Sequence, residues 1–188
     1  MEVKIKDYVS VRDKIQSGDL LCCSGNGFFS WLIKRYTKKP ILLNKDAVKF
    51  THVGTFVWVF NQLFVVEAVG KVRMVRMSEA YKNYKGSIYV IRPSISREIN
   101  DDDKHLTTQE TNIFVTKQLE LVGKPYDWKN IIRIAENKGM KVNSKWYCSE
   151  MVNYARNYFY TGGRRKQVMP QDIVLKEKNF LWKVLNVR

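Results

Sequence analysis

Two apolar runs constrain this chain's fold more than anything else in it. THVGTFVWVF covers residues 51–60 and LFVVEAVG covers 63–70, with Asn61 and Gln62 between them. Runs rich in β-branched and aromatic residues, parted by two polar ones, predict an antiparallel hairpin. A symmetric turn on Asn61-Gln62 places Phe56 opposite Glu67 and His52 opposite Lys71. A lone hairpin is barely stable in water, so more strands or helices must cover it.

The rest of the sequence supplies them. Leu20 to Cys23, Val72 to Met77 and GSIYVIRP at 86–93 read as further strands, the last stopped by Pro93. LWKVLNV at 181–187 reads as one more. Helices are expected over 5–17, ending at Gly18, and over 30–38 with Ser30 as cap. A third runs over 107–122, opened by a capping box of Thr107 and Glu110 and closed by Gly123 and Pro125. A short one spans 131–135. Another starts near Cys148, with Met151, Tyr154 or Ala155, and Tyr158 or Phe159 recurring at helical spacing until Gly162-Gly163. Residues 40–50 show no clear pattern. Strands followed by helices without a repeat define an α+β chain, and no Gly/Ser linker divides its 188 residues. We expect one domain over 1–188 with short terminal embellishments.

Charge and cysteine content narrow the function classes. Thirty-three basic against 18 acidic side chains leave a net +15, which favours encounters with nucleic acid, anionic headgroups or acidic polymers. Lys34, Arg35, Lys38 and Lys39 form one basic cluster, and Arg164, Arg165 and Lys166 another. Three cysteines, two of them adjacent, are no disulfide framework and point to a reducing compartment. The N-terminal stretch lacks the apolar core of a secretory signal, and no run is long enough to span a membrane, so an intracellular location is expected. Asp101, Asp102, Asp103 and His105 lack the glycine and distal glutamate of a calcium loop. A solvated turn is expected there, and no metal or cofactor.

SKWYCSEM, at 144–151, raises the chemical question. A cysteine at a helix N-terminus meets unpaired amides and the positive end of the helix dipole, which favour the thiolate and can face an oxyanion. A cysteine there is otherwise a small packed side chain. A nucleophile would need an imidazole and a third polar group to orient it. His105 sits in the acidic loop. His52 opens an apolar strand beside Gly54, as a base or as a core histidine. Glu67 is the lone charge in FVVEAVG, costly to bury unless paired, or else at an edge. The expected turn puts His52 and Glu67 on one face but four positions out of step, ~13 Å at ~3.3 Å per residue. Joining them requires a bulge, strong coiling or asymmetric pairing.

THVGTF, VVEA, GKPYDW and YCSEM, in that order and after GDLL and SWLIKRYT, resemble the circularly permuted NlpC/P60 cysteine hydrolases, the YiiX/YebB-like branch. The match spans roughly residues 15–155. The resemblance implies a papain-like α+β fold whose histidine-bearing sheet precedes the nucleophile helix. It implies Cys148 as nucleophile, His52 as base and Glu67 as the residue orienting it. Tyr126 corresponds to a pocket tyrosine, either donating to the oxyanion or packed, while Trp128, Trp146 and Tyr147 wall the site or its core. Cys22 and Cys23 read as buried strand residues. The implied substrates are peptides or other amides, or acyl lipids with hydrolysis or acyl transfer as outcomes. The missing signal and wall-binding repeat turn the expectation from cell-wall peptides toward an intracellular, phage or viral setting.

Two other readings compete. Trp31, Tyr36, Lys34 and Arg35 form a stacking and phosphate-contacting patch for nucleic acid, though without a helix-turn-helix, zinc-finger or RNP signature. Alternatively the basic surface with Phe28, Phe29 and Trp31 meets an anionic membrane and presents a lipid acyl group to the same thiolate.

Overall fold

The computed structural model describes residues 12–36, 40–43, 46–93, 106–136, 138–176 and 181–186. Six strands make one antiparallel sheet: β1 (Leu20–Gly25), β4 (His52–Val59), β5 (Gln62–Val69), β6 (Lys71–Arg76), β7 (Gly86–Ile91) and β8 (Leu181–Asn186). Their order across the sheet is β6-β5-β4-β1-β7-β8. Two three-residue strands, β2 (Ile41–Leu43) and β3 (Asp46–Val48), pair separately inside the 40–50 segment. The helices are α1 (Phe28–Tyr36), α2 (Met77–Ala80), α3 (Thr108–Leu119), α4 (Trp128–Ala135), α5 (Cys148–Thr161) and α6 (Pro170–Lys176). This is the expected α+β architecture, an antiparallel sheet packed against helices.

Period-two alternation divides the sheet into two buried faces. Leu20, Cys22, Val53, Val66 and Ile91 lie in the larger core, beneath Phe114 of α3 and Met151, Val152 and Ala155 of α5. Leu21, Cys23, Phe56, Val65 and Val90 face the other way, against Ile15, Met77 and Tyr81. Adjacent Cys22 and Cys23 thus serve opposite cores, both buried and neither in a disulfide, as expected of strand residues. Some of the positive charge is internal as well: Arg92 Nε and Nη2 grip the two carboxylate oxygens of buried Asp19 at 2.9 and 3.0 Å.

The hairpin differs from expectation by one residue. Its last pair is Val59 with Gln62, so the turn falls on Phe60 and Asn61, with φ of 45° and 59°. Two positive φ values in a two-residue loop are the type I′ arrangement, whose twist matches the strands. Gly54 now faces Glu67. His52 is therefore two positions out of step with Glu67, a diagonal spacing of ~7 Å that long side chains cross. Gly54 makes that approach possible, because an added Cβ would lie 2.8 Å from Val65 Cγ1 and 3.1 Å from the Val66 carbonyl oxygen.

Helix limits follow their caps. Thr107 and Glu110 form the expected capping box on α3. α5 ends where Gly162 turns left-handed at φ 62° and donates its amide to Tyr158 O. α1 begins at Phe28, which puts Ser30 inside its first turn instead of at the cap. The helix expected over 5–17 lies mostly outside the described residues, and residues 13–18 are turn and extended chain. The Asp101–His105 segment is also outside them. α6 was not anticipated.

Candidate active site

Cys148 is the first residue of α5, and no side chain caps that helix start. His52 is the first residue of β4. Chain order keeps them far apart, yet the thiol and the imidazole form a hydrogen bond. On the other side, His52 Nε2 meets Glu67 Oε2 at 2.7 Å, which leaves Nδ1 for the sulfur. Three of the sequence-selected residues therefore form one chain: thiol, imidazole, carboxylate.

Glu67 is held on every side. Tyr81 donates its hydroxyl to Oε2 at 2.5 Å, and Arg73 donates Nε and Nη2 to Oε1 at 3.0 and 2.7 Å. The carboxylate side chain is 1% exposed. Burial alone would raise its pKa, but the bonds and charges of His52, Tyr81 and Arg73 hold it down at about 2. A formal charge in this core is thus tolerated because it is fully paired.

The same logic sets the other two groups. Burial works against the imidazolium, and the Cys148 sulfur and Glu67 outweigh it, raising His52 from 6.5 to about 10. Burial likewise disfavours a thiolate at Cys148. His52 and the backbone N–H groups of Val53 and Ser149 overcome that and lower the thiol pKa. Both shifts favour a thiolate–imidazolium pair over thiol and neutral imidazole. Cys23 makes the contrast. Burial and the Glu67 charge push its thiol well up, against hydrogen bonds from Tyr84 and Tyr81.

A cavity of about 280 Å³ opens beside the pair. His52, Arg73 and Tyr126 supply part of its polar wall, and Ile33, Val69 and Trp128 part of its apolar wall. The sulfur itself is 1% exposed and is not on that wall. Tyr126 connects the two places: it lines the cavity, and the Cys148 charge raises its phenol pKa further after burial. Trp128 is 40% exposed at the rim, its ring 4.4 Å from that of Tyr126. Buried Asp127 places both by capping α4, accepting from the Asn130 amide and from the side-chain amides of Asn130 and Asn143.

Tyr147 belongs elsewhere than expected. Its ring is fully buried and its hydroxyl accepts from the Val168 amide at 3.2 Å, away from the cavity wall. Its neighbours are tied to the same segment. Ser149 Oγ donates to Val168 O at 2.6 Å, and Glu150 Oε1 accepts from Arg165 Nε at 2.7 Å. Arg165 also donates to Asn143 O and Lys145 O and lies 3.9 Å over the Trp146 ring. Arg165 to Val168 thus pin the chain on both sides of Cys148. Arg165, read from the sequence as surface charge, is an internal clasp, and Trp146 is its platform.

Arg73 and Tyr81 were missed in the sequence. Arg73 had a signal: it lies three residues after Gly70, as Glu67 lies three before, so a tight turn at Gly70 pairs them. Tyr81 and Arg165 had none, because both arrive through tertiary packing.

No family model matches the chain, and no curated protein matches its sequence. Among solved structures, a crystal structure of metalloprotein yiiX from Escherichia coli O157:H7 superposes with a TM-score of 0.58 at 17% identity. The overlap covers 92% of this chain and 97% of that one. The chain therefore has a yiiX-like fold.

Proposed function

We propose that the chain is a cysteine hydrolase of the circularly permuted NlpC/P60 type, acting on an amide or acyl carbonyl. The observation that carries this reading is the chain from Cys148 through His52 to Glu67, with the sulfur at a helix start and every other polar atom of the triad engaged. The order of its parts, histidine strand before cysteine helix, is that of the permuted branch, and the yiiX-like fold is compatible with it.

In the first half-reaction the Cys148 thiolate attacks the carbonyl carbon, and the carbonyl π pair moves to oxygen. First-turn amides of α5, with Cys148 N–H foremost, face the oxyanion, and Tyr126 is the side-chain candidate to join them. As the tetrahedral anion collapses, the leaving amine or alkoxide takes the His52 proton and a thioester remains. Water then attacks the thioester, giving its proton to His52. The acid departs, the sulfur returns as thiolate, and the imidazolium is restored. Glu67 holds the ring in position and offsets its charge throughout.

The yiiX protein of that crystal structure is called a metalloprotein. Among the described residues of this chain no three His, Cys, Asp or Glu side chains are grouped to hold an ion. The Glu67 oxygens, moreover, are already taken by Arg73, Tyr81 and His52. This donor set does not fit a metal, and no step above uses one.

The test is covalent trapping by a thiol-directed acyl probe. The wild type should carry one label at Cys148, and Cys148→Ser should lose both label and turnover, on the order of 10⁴-fold. Full labelling or turnover in the folded Cys148→Ser variant ends the proposal.

A further inference from the structure

The mouth of the cavity carries an unusual surface. The turn from β5 to β6 runs alongside the segment leading into α4: Val72 N–H donates to Lys124 O, Gly123 N–H to Val72 O and Tyr126 N–H to Gly70 O. This brings Val69, Lys71, Val122 and Lys124 side by side, and Val69 shares the cavity lining with Trp128, which Lys129 follows in the chain. Ile132 extends this face, one helical turn beyond Trp128. Val69, Val122, Trp128 and Ile132 are 42%, 46%, 40% and 52% exposed, and the three lysines are exposed among them. Asp127, the carboxylate within this stretch, is fully buried. The exposed acids flanking it, Glu120 and Glu136, are each paired to a lysine, Lys117 and Lys138.

From this face we infer that the chain docks on an anionic lipid surface, with the cavity mouth toward the membrane. The composition decides between partners. Protein interfaces favour arginine and deplete lysine, whereas the cations here that no carboxylate holds are lysines, Arg73 at the cavity wall being bound to Glu67. Lysines with long apolar stems beside a tryptophan and branched aliphatics suit the headgroup boundary, where the stems pack and the ammonium groups reach phosphate. One exposed tryptophan among branched aliphatics is not the series of aromatics on which successive bases stack. The net charge of +15 supplies the attraction at longer range. Docking here does not require Cys148 to react, so it stands apart from the hydrolase reading.

Co-sedimentation with vesicles tests it. The wild type should bind vesicles of equal parts phosphatidylcholine and phosphatidylserine and leave pure phosphatidylcholine largely unbound. Each lysine near the surface is worth about fivefold in partition, so Lys124→Ala with Lys129→Ala should lose about 25-fold. Ile132→Glu should lose at least as much, while Lys166→Ala, on another segment, should bind as the wild type does. Equal binding to both vesicle types overturns the inference, as does an equal loss at Lys166 or binding unchanged in Ile132→Glu. So does displacement by double-stranded DNA with the same strength for wild type and Ile132→Glu. Cys148→Ser is carried through the same assay. Vesicle binding that fails while the acyl probe still labels Cys148 removes the docking surface and leaves the hydrolase standing.

Discussion

Replacing Glu67 with Gln keeps the shape of the side chain and removes the charge that three neighbours compensate. Holding this carboxyl at about 2, against 4.5 in the unfolded chain, corresponds to about 3 kcal/mol of native-state preference for its ionised form. The group is almost completely buried, so little of that is lost to solvent screening. Arg73, about a third exposed, can swing toward water in the variant, which keeps the cost near this figure and below the upper range for a stranded buried charge. The sign follows from the direction of the shift. A depressed carboxyl stabilises the native state above pH 4.5, and that stabilisation is lost as pH falls from there toward 2. Denaturant unfolding of both proteins at several pH values reads the difference directly. Glu150 is pushed up to about 7, chiefly by burial, but it titrates in both proteins and cancels. We expect a gap of about 3 kcal/mol at neutrality that closes progressively below pH 4.5. A gap that stays constant with pH, or one below about 1 kcal/mol at pH 7, would refute the claim that this carboxylate is ionised and fully paired in the core.

Two further outcomes follow from the same geometry. The lowered Cys148 thiol and the raised His52 predict that iodoacetamide alkylation of Cys148 rises to its plateau at lower pH than that of a free thiol. His52→Ala should shift that rise toward alkaline pH; a wild-type rise at or above the pH of a free thiol would mean the pair rests as thiol and neutral imidazole. Gly54→Ala should destabilise by about 1–3 kcal/mol and slow alkylation, because its Cβ collides with Val65 and the Val66 carbonyl in the step between His52 and Glu67. Thermal unfolding and the alkylation rate check both parts, and an unchanged rate in a folded variant would separate Gly54 from the site.

The parts of the fold that local pattern controls were legible. The capping box at Thr107, the alternation in β4 and β5 and the glycine stop after Thr161 each state their structure within a few residues. Cys148 at a helix start and His52 at a strand start could be picked out for the same reason. What escaped was set by partners distant in sequence. The clasp from Arg165 to the carbonyls of Asn143 and Lys145 depends on a loop returning after Gly162-Gly163, and nothing near Arg165 distinguishes it from a surface cation. Tyr147 looked like a pocket wall until Val168 claimed its hydroxyl.

The hairpin shows how a small misreading of a turn changes a chemical conclusion. Asn61-Gln62 is the polar pair, so composition places the turn there. The chain instead turns on Phe60 and Asn61, leaving Phe60 almost fully exposed with positive φ, a conformation bulky residues resist. The compensation lies in what this register buries: Val65 and Leu63 join Phe56 in one core, and Gly54, the one residue without a side chain, falls opposite Glu67. Each step of register in a hairpin changes the offset of a cross-strand diagonal by a fixed amount. Moving the turn by one residue halves the separation of His52 and Glu67 from four positions to two, and keeps both on one face. No bulge is needed between them. The strain at Phe60 and the bareness at Gly54 are therefore two ends of one constraint, and what they deliver is a carboxylate within 2.7 Å of the imidazole that meets Cys148.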